Sequence, residues 1–409
     1  MDKRFAFYAA CSLVACLFTL VGCQSGTPDA AETPAQEPTI NDVMPQQAQN
    51  APEADEKSPA KAIENETRTL LENMTLEEKV AQLFVITPEA LTGTEAVITA
   101  DETTYAALEQ HPVGGLIYFG QNLQDADQTR DMLAATQSYA QEINGVPLLL
   151  CVDEEGGTVS RVGGAPGFDI ENVGNMASVE TPEEAGNVAS TIATYLTDLG
   201  FNVDFAPDAD LANVEGSTLA LRSFGATPEE ASPLVQAQVE SFLDGGVLCA
   251  AKHFPGIGGA LGDSHNESIY STETLEEMAA EEFLPFQAAI AADVPFIMVG
   301  HLTCEAATGS TLPASLNQVV IRDALRSQLG YQGIIITDSL SMAAATEVTS
   351  ADRVGVDLLN AGGDMILMPL DFAAAYQGVL DAVASGEIPE TRIDESVERV
   401  LTAKLTYLS

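Results

Sequence analysis

Short, almost unbroken apolar runs recur along the chain at 82–87 (QLFVIT), 114–119 (GGLIYF), 147–153 (PLLLCVD), 202–207 (NVDFAP), 247–254 (VLCAAKHF), 295–302 (PFIMVGHL), 333–338 (GIIITD) and 364–369 (DMILMP). Between most of them lie longer stretches whose apolar residues return with helical spacing. A strand that reads apolar on both faces is one covered on both faces, the condition of a parallel sheet flanked by helices. Eight such runs predict an α/β fold, a single closed (β/α)8 barrel of the TIM type, with an open doubly wound sheet as the alternative.

The intervening segments carry their own start signals. Two of them, TPEEAGNVASTIATYLTDLG from Thr181 and TPEEASPLVQAQVESFLDGG from Thr227, place threonine at the N-cap, proline at the first helical position and acids in the first turn. A barrel of this kind builds its active site at the C-terminal ends of the strands. The charged residues obey that rule: Asp153 ends the third run, Asp208 and Asp210 follow the fourth, Lys252 and His253 end the fifth, His301 the sixth and Asp338 the seventh.

The chain begins differently. Lys3 and Arg4 precede an apolar run, FAFYAACSLVACLFTL, too short for a comfortable membrane span, which leads into Leu20-Val-Gly-Cys23. This resembles a bacterial lipobox, so residues 1–22 read as a signal peptide and Cys23 as the lipidated residue of an exported protein anchored in the membrane and facing the cell wall, with an uncleaved anchor or a plain secretory signal as the alternatives. From Gln24 to about residue 60 the composition is Pro, Ala, Gln, Glu and Ser, too poor in apolar side chains to fold alone, and reads as a flexible tether. The barrel is then assigned to 61–409.

Charge and cysteines narrow the partners. With 61 acidic residues against 16 basic ones, a formal net charge of -45 repels polyanions, which excludes nucleic acid as the expected partner. Beyond the signal and Cys23, only Cys151, Cys249 and Cys304 remain. None has metal-ligand spacing, and each reads as a small buried apolar residue.

Two of the four histidines fall in one glycine-rich stretch, Ala251 to His265, AKHFPGIGGALGDSH. It lacks the lysine of a phosphate-binding GxxxxGK[ST] loop, and His253 and His265 lack the spacing of a zinc-binding helix. Acid/base chemistry fits better. Asp263 and His265 are two apart, so in extended chain the carboxylate can orient the imidazole and favour its protonated form. Glycines at 256, 258, 259 and 262 are expected to let the loop swing over the barrel mouth. Asp338, at the end of a very apolar strand, suits a carboxylate nucleophile working with a separate acid/base, the logic of a retaining glycosidase.

Taken together, KHFPGIG with DSH, DEEGG, RSFG, TDSLSM and AGGDMILM, spread from about Met74 to the C-terminus, resemble the family 3 glycoside hydrolases of the β-N-acetylhexosaminidase type. The resemblance implies a one-barrel exo-enzyme that removes terminal N-acetylglucosamine from peptidoglycan-derived or related glycans through a glycosyl-aspartate, with no metal and no cofactor. It assigns Asp338 as nucleophile and His265, paired with Asp263, as acid/base. Asp153, Arg161, Arg222, Lys252 and His253 match the positions that hold the sugar. Two departures stand out: Ile257 replaces the histidine of PGHG, which is expected to alter loop closure, and Thr158 replaces an arginine after EGG, which is expected to loosen packing under the sugar. Transfer of the sugar to phosphate, or a catalytically inactive lipoprotein that binds wall glycan, are the alternative functions.

Overall fold

The computed structural model describes residues 58–214, 217–260 and 268–408. The expected signal peptide, Cys23, nearly all of the tether, and the Asp263–His265 pair lie outside the described residues.

Among the described residues there are ten strands: β1 (Phe84–Ile86), β2 (Gly115–Ile117), β3 (Leu149–Val152), β4 (Val203–Asp204), β5 (Leu248–Phe254), β6 (Ile269–Tyr270), β7 (Phe296–Val299), β8 (Leu302–Thr303), β9 (Ile334–Thr337) and β10 (Ile366–Leu367). Eight form one parallel sheet in the order β10-β1-β2-β3-β4-β5-β7-β9. Its two ends meet, because Asp364 and Met365 both donate to the Ile335 carbonyl, at 2.8 and 3.0 Å, and Thr337 N–H donates to Met365. The sheet is therefore a barrel, and each of the eight apolar runs supplies one of its strands. β6 and β8 pair with each other in a separate ribbon.

Alternation along the strands sorts the core into two layers. Val85, Ile117, Leu149, Cys151, Leu248, Ala250, Phe296, Met298, Ile334 and Ile336 pack together in the barrel interior. Their neighbours, such as Leu150, Val152, Cys249, Ala251, Ile297 and Ile335, pack outward beneath the helices. Cys151, Cys249 and Cys304 are free thiols and buried.

The helices begin where their caps require. Thr181 accepts from Glu184 N–H in a capping box, with Pro182 at the first position and Gly200 (φ 99°) closing the helix Pro182–Leu199. Thr227 and Glu230 repeat the device for Pro228–Asp244. A first helix, Pro59–Asn73, capped by Ser58, lies along the last, Glu390–Tyr407. Near the start of β10, buried Asp364 gathers Ile335 N–H (2.9 Å), Ser396 Oγ (2.7 Å), Arg399 Nη1 (3.1 Å) and Arg326. This ties the closing strand to the C-terminal helix.

Candidate active site

Continuing the period of two beyond the inner layer places three charged residues on the barrel axis: Asp153 after Leu149 and Cys151, Lys252 after Leu248 and Ala250, and Asp338 after Ile334 and Ile336. His253 reaches the same space by a different route. Lys252 pairs with Met298 and Phe254 with Val299, so His253 is an extra residue in a bulge. Bulges of this kind re-aim side chains beside active sites, and here one presents Lys252 and His253 together.

These residues line one recess of about 360 Å³ at the C-terminal face, with Arg161, Arg222, Glu155 and Ser339, against apolar walls that include Ile117, Phe119, Met298 and Met368. A larger recess of about 600 Å³ opens at the other end, between Tyr331, Arg399 and Tyr407. That end of such barrels serves stability rather than chemistry.

The polar groups form a linked network. Lys252 Nζ lies 2.6 Å from Glu155 Oε1 and 3.1 Å from Asp153 Oδ1. Arg222 grips Glu155 through two bonds of 2.7 Å, and Arg161 Nη2 stands 3.8 Å from Asp153 Oδ2. Burial alone would raise the Glu155 carboxyl, but Lys252 and Arg222 outweigh it and hold the group well below the usual carboxylate range. Burial likewise works against a charged Lys252, yet Glu155 and Asp153 raise it above its ordinary value. Both cations thus stay charged at the base of the recess, fit to receive oxygen acceptors.

His253 Nδ1 is 2.7 Å from Asp210 Oδ2, which also accepts its backbone N–H at 3.1 Å. Burial disfavours the imidazolium, but Asp210 more than offsets this and raises the group. Asp208 is pushed up to about 7, first by burial and then by neighbouring Asp210. Asp338 is partly buried and accepts from Ser339 N–H at 2.7 Å. Withdrawal from water would raise it, but His253, the Ser339 N–H and Lys252 keep it below its ordinary value. The carboxylate is therefore ionised at neutral pH, as a nucleophile must be.

Asp208, Asp210 and His253 bring ligand atoms within 4.8 Å of one another, a grouping that could hold a metal ion and that no spacing in the sequence singles out. Arg222 Nη2 already stands 3.4 Å from Asp208 Oδ2 and 3.5 Å from His253 Nε2. A guanidinium thus supplies the positive charge there.

The structure gives different reasons for several sequence features. A Cβ on Gly258 would overlap the Leu211 carbonyl, and one on Gly256 (φ 107°) would strike the Glu282 carboxylate. These two glycines permit close packing that pins the loop, rather than a swing. Ile257 sends its N–H to Asp210 Oδ1 at 2.7 Å and packs on the core. Thr158 is exposed in the turn between Gly156 and Val159.

Two functional residues escape the sequence reading. Glu155 bridges the two cations, and Glu154, fully buried, shapes the loop that carries Arg161. Glu154 accepts from the N–H groups of Arg161 (2.6 Å), Val162 (2.9 Å) and Gly163 (2.9 Å), and from Tyr195 Oη (2.8 Å). Two adjacent acids directly after a strand-ending aspartate are the signal that could have found them.

With this geometry in place, comparison identifies the chain's relatives. Residues 75–403 match the model of the glycosyl hydrolase family 3 N terminal domain, and the chain belongs to that family. It is 31% identical over 324 residues to beta-hexosaminidase A of Pseudoalteromonas piscicida, covering 73% of this chain and 54% of that protein. It is 30% identical to beta-hexosaminidase LpqI of Mycobacterium tuberculosis over 80% of this chain and 82% of that one. Among solved structures, a family 3 β-N-acetylglucosaminidase from Paenibacillus sp. superposes with a TM-score of 0.76 at 34% identity, over 82% of this chain and 64% of the other. The chain thus spans less than two thirds of the length of two of these relatives.

Proposed function

We propose that this protein is a retaining, exo-acting β-N-acetylglucosaminidase that hydrolyses terminal N-acetylglucosamine from peptidoglycan-derived or related glycans. The observation that carries the reading is the convergence of ionised Asp338 with Asp153, Lys252, Arg222, Arg161 and His253 around a recess of about 360 Å³. A recess of that size, floored by the barrel core, suits a terminal sugar. The names of the three relatives favour the N-acetylhexosaminide as substrate.

In the first step Asp338 attacks the anomeric carbon while the glycosidic C–O bond breaks, and protonated His265, oriented by Asp263, gives its proton to the leaving oxygen. In the second, neutral His265 takes a proton from water, whose oxygen attacks the same carbon and releases the Asp338 carboxylate. Two inversions leave the β configuration unchanged. Lys252, Arg222, Arg161 and Asp153 bind the sugar, and His253, fixed by Asp210, completes the pocket. The roles of Asp263 and His265 rest on their spacing and on the resemblance.

The test is hydrolysis of 4-nitrophenyl β-N-acetylglucosaminide beside the β-glucoside, with the product anomer followed by NMR. Selective turnover of the N-acetyl substrate to the β anomer is expected. Turnover of neither would favour a glycan-binding protein, and a sugar 1-phosphate product on addition of phosphate would favour phosphorolysis.

We also infer export and anchoring through lipid on Cys23, supported by Lys3, Arg4, the apolar run and the Leu20–Cys23 motif. Wild type is expected in the detergent phase on phase separation of expressing cells, and a Cys23→Ala variant in the aqueous phase. Equal partitioning of the two would refute the anchor.

A further inference from the structure

His301 follows β7, the strand paired with the β9 that leads into the nucleophile, yet it has no place in the mechanism above. It is buried, and its two ring nitrogens are both engaged: Nε2 is 2.9 Å from the Ser339 carbonyl oxygen and Nδ1 is 2.7 Å from Ser315 Oγ. A carbonyl oxygen can only accept, so Nε2 carries the hydrogen, and in the neutral ring Nδ1 accepts from the Ser315 hydroxyl. Ser315 is itself fixed, because its N–H donates to the Gly300 carbonyl at 3.1 Å.

The residue that His301 holds is the one that holds the nucleophile. Ser339 N–H donates to Asp338 Oδ1 at 2.7 Å, while the Asp338 N–H donates to the Val299 carbonyl at 2.9 Å, at the end of β7. The turn after β9 is thus gripped from the β7 side at two points, at the Asp338 N–H and at the Ser339 carbonyl. A carboxylate that must meet an anomeric carbon loses heavily for small misplacement.

We infer that His301, locked by Ser315, is a positioning residue for the Asp338 nucleophile, fixing the Asp338–Ser339 turn through the Ser339 carbonyl. The inference rests on the proposed glycosidase reading and adds a residue to it.

The two amide substitutions separate this role from simple packing. Gln can place a donor where Nε2 lies, whereas Asn reaches only the position of Nδ1. Kinetic constants for 4-nitrophenyl β-N-acetylglucosaminide and melting temperatures are measured for wild type, His301→Asn, His301→Gln, Ser315→Ala and the His301→Asn/Ser315→Ala double variant. His301→Asn is expected to lose roughly 10²-fold in kcat with KM little changed, and His301→Gln to recover most of it. Ser315→Ala is expected to lose less, and the double variant to fall no further than His301→Asn, as residues acting through one link do. Equal loss in Asn and Gln, a change confined to KM, or full activity in His301→Asn would overturn the inference while leaving the glycosidase reading intact. Should His301→Asn fail to fold, full kcat in Ser315→Ala would overturn it alone. An inactive wild type would remove the reading and the inference together.

Discussion

Lys252 Nζ lies 2.6 Å from Glu155 Oε1 at the C-terminal mouth of the barrel, and both side chains are almost entirely withdrawn from water. The same carboxylate receives Arg222 through two bonds, so one buried acid bridges the two cations. Removing one member of such a buried group costs about 3–5 kcal/mol, because its partners keep their desolvation penalty without the attraction. Glu155→Gln is therefore expected to lower the melting temperature markedly and to weaken sugar binding, seen as a rise in KM. Unchanged stability would show that Asp153 and Asp208 suffice to balance Lys252 and Arg222.

The pinned glycine loop makes a sharper claim. A methyl group at 258 cannot be placed without displacing the Leu211 carbonyl, and Leu211 follows the Asp210 that holds His253. Gly258→Ala should thus cost stability and at least tenfold in kcat/KM, whereas Gly259→Ala, whose added carbon meets only ordinary contacts, should behave as wild type. A flexibility role for the loop would instead impair both.

At the opposite end, the amine of Lys404 is fully buried and bonded to Gln82 Oε1 at 2.8 Å. Burial lowers it from 10.5 to about 7, so between those values the unfolded chain binds a proton that the folded chain releases. Stability rises with pH across that window, and below about 7 the penalty is complete. Every tenfold loss of proton affinity on folding corresponds to about 1.4 kcal/mol. Lys404→Met is accordingly expected to raise the melting temperature at pH 6, with a gain that shrinks as pH approaches 10; denaturant unfolding at the two pH values checks it.

Net charge bears on stability too. A formal charge of -45 repels itself in the compact state, and salt screens that repulsion. Raising sodium chloride from low to moderate concentration should increase the melting temperature by several degrees, where a protein of balanced charge would change little.

How far the sequence led is visible in particular residues. Each apolar run supplies a barrel strand because a strand buried on both faces belongs to a helix-covered parallel sheet, and the alternation of inner and outer positions then carried Asp153, Lys252 and Asp338 to the axis. The ribbon of β6 and β8 went unseen, since two-residue pairings such as Ile269 with Leu302 leave no pattern. Nor could spacing show that Asp210 orients His253, or that Glu154 folds the loop beneath Arg161. Those partnerships join segments more than forty residues apart, or depend on a turn whose shape arises only when the barrel exists.

The central claim is that Asp338 forms a covalent glycosyl ester, and trapping tests it most directly. The protein is incubated with a 5-fluoro β-N-acetylglucosaminyl donor, digested, and its peptides weighed. We predict one added sugar on the peptide containing Asp338, and none in Asp338→Asn. A label on another acid, or catalysis with inversion and no trapped sugar, would contradict the account.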